Sequence, residues 1–337
     1  MKLFRFKAVL AALGIAMFST PAPAQDASLV FATLNVPGIP INSRFLHPWA
    51  DGINKDGTGK IQLQVRDGYA LANFGNVYQR VLSDAIQVAF ALQPPVGGKF
   101  LLSEVAGLPF ITDNSADASA ALWRLYETGM LDAEYKDIQP LALVGLPQGG
   151  VHLTEATDLN NGLSGKKVLV ANKIQGEIIV ALGGTPQALP LTAMYEALKR
   201  GTVNGTSVGW PAFPSFKLFE VTNYHIEARL GASTAMLFMS KKRWDGLTPA
   251  ARDVLRKNMG ENVSRKFGEY WDWADVGGRK MTEAKGGHTI VELTDAQKAD
   301  WHNKAEPLLE KWAASRPNGA AVKKRFQEIL AAVKAGK

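Results

Sequence analysis

The chain has no cysteine among its 337 residues. Disulfides, thiolate catalysis and cysteine-ligated metals are therefore excluded. Nucleotide-binding signatures are also missing. No G-x-G-x-x-G follows a strand pattern, and the Gly165-Lys166-Lys167 run has neither the upstream glycine spacing nor the hydroxyl of a phosphate loop. The five histidines are His47, His152, His225, His288 and His302. None forms H-E-x-x-H or another close ligand pair, so each reads as a surface or capping residue. His152 alone falls near a region where a hydrogen-bond donor could serve a ligand. No two carboxylates have a local spacing suited to glycoside cleavage. The expectation is a chain with no cofactor and no metal. Beyond the N-terminus, no stretch is long and apolar enough for a transmembrane helix.

The N-terminus is different. Lys2, Arg5 and Lys7 precede an apolar run from Ala8 to Phe18, and Ala22-Pro23-Ala24 stands before Gln25. A positive segment, a short apolar segment and a small-x-small site together make a secretory signal peptide over residues 1–24. No cysteine follows for lipidation, so the mature chain is expected free in the periplasm. The formal charge is +7, and loss of the three signal-peptide cations leaves +4. Basic residues cluster only in short groups such as Lys166-Lys167 and Lys323-Lys324-Arg325. No stripe tracks phosphates, so nucleic acid is not an expected partner.

Along the mature chain, strand and helix patterns alternate. Leu29–Leu34 reads as a strand. Ser43 is placed as the cap of a helix to about Asn54, with Phe45, Leu46, Trp49 and Ile53 on one face. Ile61, Leu63 and Val65 alternate with glutamines, a helix carries Val77, Val81 and Leu82, and Ile86–Leu92 is a third strand. This order signals a parallel α/β layer. It returns after Gly165, with a strand at Val168–Val170. A helix follows through Ile174, Ile178 and Leu182, then another through Leu191, Met194, Tyr195 and Leu198. Val203–Val208 leads into a further strand. Tyr195, at a core position of its helix, reads as packing.

The C-terminal third is mostly helical. Thr248 and Pro249 make a cap and first turn. Leu255, Met259, Val263, Phe267, Trp271 and Ala274 then repeat at helical spacing as far as Lys285. Such a helix would run roughly 50 Å, longer than one small lobe. It is expected to lie along two lobes and tie them together. Thr294 and Gln297 form a capping box before a helix that buries Trp301, Ala305, Leu308, Leu309 and Trp312.

Gly205-Thr206-Ser207-Val208-Gly209 matches the G-x-S-x-G of α/β-hydrolases, with Glu220 and His225 as imaginable partners. That motif needs a strand-to-helix turn. Here a helix precedes and a strand follows, so Ser207 reads as an ordinary strand or loop residue. Trp210, Phe213 and Phe216 come next, in a Gly/Pro/Ser-rich segment. Ligands of α/β sheets bind beyond the carboxyl ends of strands. Trp210 is a candidate contact there, while Phe216 reads as core.

Six segments in order resemble one family, the DctP-type solute receptors of tripartite ATP-independent periplasmic (TRAP) transporters. They are His47-Pro48-Trp49-Ala50, Ser103-Glu104-Val105 through Leu108-Pro109-Phe110, Leu163–Val170, Leu182-Gly183-Gly184-Thr185-Pro186, Tyr195-Glu196-Ala197-Leu198 through Gly205, and Arg243-Trp244 through Pro249. The resemblance implies a two-lobed periplasmic-binding-protein-like α/β fold. Each lobe is a sheet flanked by helices, with a cleft between the lobes and a bridging helix. The expected boundaries are 25–148 plus about 236–280 for lobe I, and 149–235 plus about 281–337 for lobe II. The implied function is non-enzymatic: a monomeric receptor that closes on a small-molecule solute and docks on TRAP membrane subunits. The solute-binding protein of an ATP-dependent importer and that of a sensor system are alternatives. A secreted serine hydrolase using Ser207 is the alternative of another class.

Relatives that bind carboxylates carry an arginine in the strand where this chain has Leu169. No second arginine stands at Gln148-Gly149-Gly150-Val151-His152. Leucine cannot hold a carboxylate, so the resemblance points to an uncharged or aromatic-bearing solute, unless another cation takes over. Arg66, in the segment matching a family loop near the cleft, is the substitute considered. The expected ligand contacts are Asn35, Arg66, Tyr69, Gln87, Phe90, Leu169, Asn172 and Trp210.

Overall fold

The computed structural model describes residues 27–337; the segment 1–24 expected to be a signal peptide lies outside them. The chain begins with β1 (Ser28–Ala32), α1 (His47–Asp56), β2 (Gln62–Arg66), α2 (Val77–Leu82) and β3 (Val88–Leu92). Both β2 and β3 run parallel to β1, as the alternation required. Then come α3 (Ser115–Glu127), α4 (Asp132–Tyr135) and β4 (Ile138–Gly145). The second series is β5 (Gly150–Leu153), β6 (Lys167–Leu169), α5 (Lys173–Ala181), β7 (Thr185–Gln187), α6 (Met194–Lys199), β8 (Gly205–Val208), α7 (Ala212–Phe216) and β9 (Tyr224–Glu227). The rest comprises β10 (Thr234–Ser240), α8 (Lys241–Asp245), α9 (Pro249–Lys257), α10 (Glu261–Lys285), β11 (Thr289–Glu292), α11 (Asp295–Ala314) and α12 (Gly319–Lys334).

Two sheets result, ordered β2-β1-β3-β10-β4 and β11-β9-β5-β8-β6-β7. Strand β10 enters the first sheet antiparallel to β3 and β4. All seven of its residues are buried, which suits a central strand covered on both faces. The chain passes between the sheets from β4 to β5 and returns from β9 to β10. These two connections hydrogen-bond each other: Leu146 N donates to Ser233 O at 3.1 Å, Gly149 N to Gly231 O at 2.8 Å and Leu230 N to Gly149 O at 3.0 Å. Paired short segments of this kind let two layers rotate without breaking either core.

The third crossing is α10. Its first half packs on α3 and β4. Arg124 pairs with Glu261 at 2.8 Å and Arg265 with Asp117 at 2.9 Å. Farther along, Arg279 pairs with Glu227 of β9 at 2.7 Å. At Gly268 and Gly278 the helix meets backbone of the two layers, Ser115 and Ala116 at one and Trp210 at the other. A side chain at either position would hold the helix away.

Four expectations change. Ser43 is not a cap: the helix starts before it, and Asn42–Leu46 forms a π-helical stretch leading into α1. The predicted 50 Å helix is two helices, α9 and α10, so the bridging part is 25 residues, about 37 Å. The break is held by tertiary hydrogen bonds. Trp49 Nε1 donates to Asn258 O at 2.8 Å, Gly260 N donates to Leu141 O at 3.0 Å, and Gly260 takes φ 104°. A residue with a Cβ resists that angle, which apolar periodicity does not register. The helix placed from Leu191 opens with a 3-10 turn at Leu191–Ala193 and becomes α-helical at Met194. Finally, α11 lies on α5, but α12 packs on α3 of the first layer, outside the lobe given it above. The caps at Thr248 and Thr294 form as expected, the second as a full capping box with Gln297.

Candidate functional site

A cavity of about 340 Å³ opens where the carboxyl ends of the parallel strands from both sheets meet. That is where side chains can converge on a ligand without interrupting a strand ladder. From the first layer come Asn35, Tyr69, Phe74, Phe90 and Leu92; from the second come Gln175, Met194, Ser207 and Phe216; from the bridging helix comes Trp271. No Asp, Glu, Lys, Arg or His is among the described residues that line it. An organic ligand entering here meets aromatic and aliphatic walls, neutral polar groups and no formal charge. The volume falls within the range of small-molecule sites.

Of the eight expected contacts, Asn35, Tyr69 and Phe90 border this cavity and five do not. Arg66 is exposed and folds back on its own strand, donating to Val65 O and Gln64 Oε1, both at 3.0 Å. Gln87 stands before β3, at the end away from Leu92. Its Oε1 accepts from Val30 N at 2.9 Å, so it fastens two strands. Leu169 is fully buried with Met194, Leu198, Val203, Phe213 and Leu218. Asn172 caps α5, accepting from Gln175 N at 3.0 Å and donating to Ala232 O at 3.2 Å. Trp210 is buried, and its Nε1 donates to Glu227 Oε1 at 3.3 Å. It borders a second crevice of about 730 Å³, shared with His152, Arg229, Asp272 and Asp275. Pro147 touches both cavities, so they flank one connecting segment. Phe216, read as core, lines the first cavity.

Sequence reading missed three features. Helical spacing puts Trp271 on a core stripe, and the sequence marks Ser207 as an ordinary strand or loop residue. Ser207 does lie in β8, but it borders the cavity with a fully buried hydroxyl that has no partner. No triad forms around it. Both ring nitrogens of His225 are engaged by other histidines, and Glu220 accepts from Tyr195 Oη at 2.9 Å.

The third feature is those histidines, residues far apart in sequence. His152 Nδ1 lies 3.1 Å from His225 Nδ1, and His225 Nε2 lies 3.0 Å from His288 Nδ1. His152 Nε2 lies 3.0 Å from Val208 O. A carbonyl only accepts, so His152 Nε2 carries a proton and donates. His152 Nδ1 then accepts from His225 Nδ1–H, and His225 Nε2 accepts from His288 Nδ1–H. One tautomer chain satisfies every bond when all three rings are neutral. Burial lowers His152 to a pKa of about 4. Burial and the neighbouring histidines lower His225 to about 3. Across the crevice, burial pushes Asp275 up to about 7, although it accepts Trp210 N at 3.1 Å.

Residues 32–316 match the family model of the bacterial extracellular solute-binding proteins, family 7. The chain is 26% identical over 317 residues, 92% of each chain, to the outer membrane transporter protein TsaT of Comamonas testosteroni. Among solved structures, it superposes on a TRAP solute-binding protein of Rhodoferax ferrireducens, bound to copurified benzoate, with a TM-score of 0.85. The two are 25% identical, and the alignment covers 92% of this chain and 100% of that one. It also superposes on a TRAP periplasmic solute-binding protein of Bordetella bronchiseptica with bound mandelate, at a TM-score of 0.82. That pair is 23% identical over 91% of this chain and 99% of the other. With two sheets, paired connections, a bridging helix and a cavity at the strand ends, the chain belongs to family 7 of the bacterial extracellular solute-binding proteins, the DctP-type receptors of TRAP transporters.

Proposed function

We propose that this receptor captures an aromatic-bearing solute that needs no carboxylate for recognition, and hands it to TRAP membrane subunits. The observation that carries the reading is the uncharged cavity wall, aromatic at Phe74, Phe90, Phe216 and Trp271. Benzoate and mandelate, bound by the two structural relatives, share a ring and a carboxylate. The ring suits this cavity, since stacked or edge-on aromatic contacts add to area burial. A carboxylate meets no side-chain cation here, and its desolvation is left without a salt bridge.

The ligand acts by differential affinity. It touches groups of both layers only when they approach, so binding stabilises the closed arrangement. The lobes turn on the paired connections at 146–149 and 229–233 while α10 stays docked on both. In this reading the chain is a periplasmic monomer, freed of residues 1–24, that performs no turnover.

The test is a thermal-shift and calorimetric screen of secreted, mature protein. The panel is benzoate, neutral aromatic alcohols and ketones, dicarboxylates and uronates. Ligand at ~100 times Kd adds about 2.7 kcal/mol of stability, enough to raise Tm by several degrees. Neutral aromatics are expected to stabilise the protein and dicarboxylates to leave it unchanged. Strong stabilisation by dicarboxylates or uronates alone would refute the reading.

A further inference from the structure

The charge missing from the cavity wall is found in a groove of about 550 Å³ on the first layer, between α1, the end of α9 and α10. The groove shares no lining residue with the cavity. Arg44, Lys257 and Lys266 line it, and all three are exposed. Among the described residues none of them has a carboxylate partner or a side-chain hydrogen bond. Glu269 is the one acid in the wall, and it is unpaired too. Other arginines that touch α10 are already engaged: Arg124, Arg265 and Arg279 each pair with a carboxylate. Arg44 instead lies flat on a ring, its guanidinium carbon 4.0 Å from the centre of Trp273. Trp273 is 45% exposed, unusual for so large an apolar side chain. Tyr270 follows at 5.8 Å from Trp273 between ring centres. Lys266, Tyr270 and Trp273 are spaced i, i+4 and i+7 and so share one face of α10.

We propose that this groove is a second ligand site, apart from the cavity between the layers, and that it takes a flat aromatic carboxylate. The ring lies against Trp273 and Tyr270, whose faces and edges favour stacked or edge-on contact and whose apolar area is still in water. The carboxylate meets Arg44. A guanidinium resting on an indole is held in place and keeps its N–H edge free, and a planar carboxylate matches that edge with two parallel bonds. Lys266 and Lys257 add positive charge along the groove, which draws an anion in and outweighs Glu269. Neither half of such a ligand suffices. An uncharged ring leaves the cations unused, and an aliphatic acid leaves the rings uncovered. The volume lies within the range of small-molecule sites.

The test uses three probes: 2-naphthoate, naphthalene-2-carboxamide with the same rings and no charge, and cyclohexanecarboxylate with the same charge and no aromatic ring. Calorimetry is run on mature wild-type protein, Arg44→Gln, Lys266→Gln and Trp273→Leu. Naphthoate is expected to bind wild type with Kd on the order of 0.1 mM. Arg44→Gln and Trp273→Leu should each weaken it by about fivefold or more, and Lys266→Gln by about twofold to threefold. Cyclohexanecarboxylate should bind about tenfold more weakly than naphthoate, and added salt should weaken naphthoate. The variants replace exposed side chains, so an unchanged Tm shows that each keeps the fold. Saturating carboxamide, as a neutral occupant of the cavity, should leave naphthoate affinity unchanged. No naphthoate binding, equal affinity in Arg44→Gln and wild type, or displacement of naphthoate by the carboxamide would each overturn the proposal. If naphthoate binds as expected and no neutral aromatic does, the groove site stands and the aromatic reading of the cavity falls.

Discussion

Asp272 and Asp275 stand one turn apart on α10 and hold different layers of the molecule. Asp272 accepts Ser115 N at 2.6 Å and Ala116 N at 3.0 Å, at the start of α3. Asp275 accepts Trp210 N at 3.1 Å, beyond the end of β8. The bridging helix is thus pinned to both sheets by backbone amides as well as by the ion pairs of Glu261, Arg265 and Arg279. Glycine lets the backbones come that close: a Cβ added at Gly278 would sit against the Trp210 carbonyl.

Gly278→Ala should therefore lower stability by about 1–3 kcal/mol, because the clash is with backbone and the helix must shift. Gly277, its neighbour, has nothing within 4 Å of an added Cβ. Gly277→Ala should raise stability by about 0.5–1 kcal/mol through helix propensity. Urea unfolding of the two variants beside wild type checks both signs.

Asp275→Asn keeps an oxygen for Trp210 N and removes the charge. The folded pKa is raised to about 7 from an ordinary value of 3.8, so the folded state holds the proton longer than the unfolded chain. This group leaves stability untouched below the ordinary value. It costs stability as pH rises toward 7, and the whole cost persists above that. The variant should match wild type near pH 4 and exceed it at pH 8, by up to about 4 kcal/mol. Unfolding free energies at the two pH values decide.

The histidine chain has the opposite sign. His152 and His225 have folded pKa values below 6.5, so the unfolded chain binds their protons first. Their neutral, bonded state contributes fully above 6.5 and is lost as pH falls toward 4. In wild type this opposes the Asp275 trend over the same window. His225→Gln should flatten the acid side of the stability profile by about 1.4 kcal/mol per pH unit at its steepest. It should also cost stability at pH 8, since His152 and His288 lose their shared partner.

Leu169→Arg introduces the arginine that the family resemblance leads one to expect at this position. In this fold position 169 is fully buried among apolar side chains and does not border the cavity. The variant should lose several kcal/mol of stability, as expected of an unpaired buried charge. It should gain no benzoate affinity. Tm and calorimetry measure each.

Much of the fold was legible from local signals. The apolar run at Leu29–Leu34, the alternation at Ile61, Leu63 and Val65 and the caps at Thr248 and Thr294 depend on residues near in sequence. Each such signal has one local physical cause, a face to bury or an orphan amide to satisfy. Where the reading failed, a distant group intervened. Asn258 and Gly260 leave the helix because Trp49 and Leu141 take their backbone groups.

The candidate site was only partly legible for the same reason. The strand ends were found, and with them Asn35, Tyr69 and Phe90. Leu169 lies at such an end but faces inward, because a one-residue alternation in a strand sends neighbours to opposite faces, and Trp210, beyond the end of β8, borders the second crevice instead. His152, His225 and His288 meet only because β5 and β9 pair and β11 joins at the edge.

The sequence by itself determined the alternation of strands and helices, the two-layer organisation and the lack of cysteine chemistry. These follow from side-chain type and spacing. Tertiary structure alone decided that the smaller cavity has an uncharged wall, that three histidines hydrogen-bond in a chain, that α12 returns to the first layer and that Ser207 and Trp271 keep unpaired donors. Each of these depends on which groups approach across the fold, and burial sets the energy of a polar group only once its neighbours are in place.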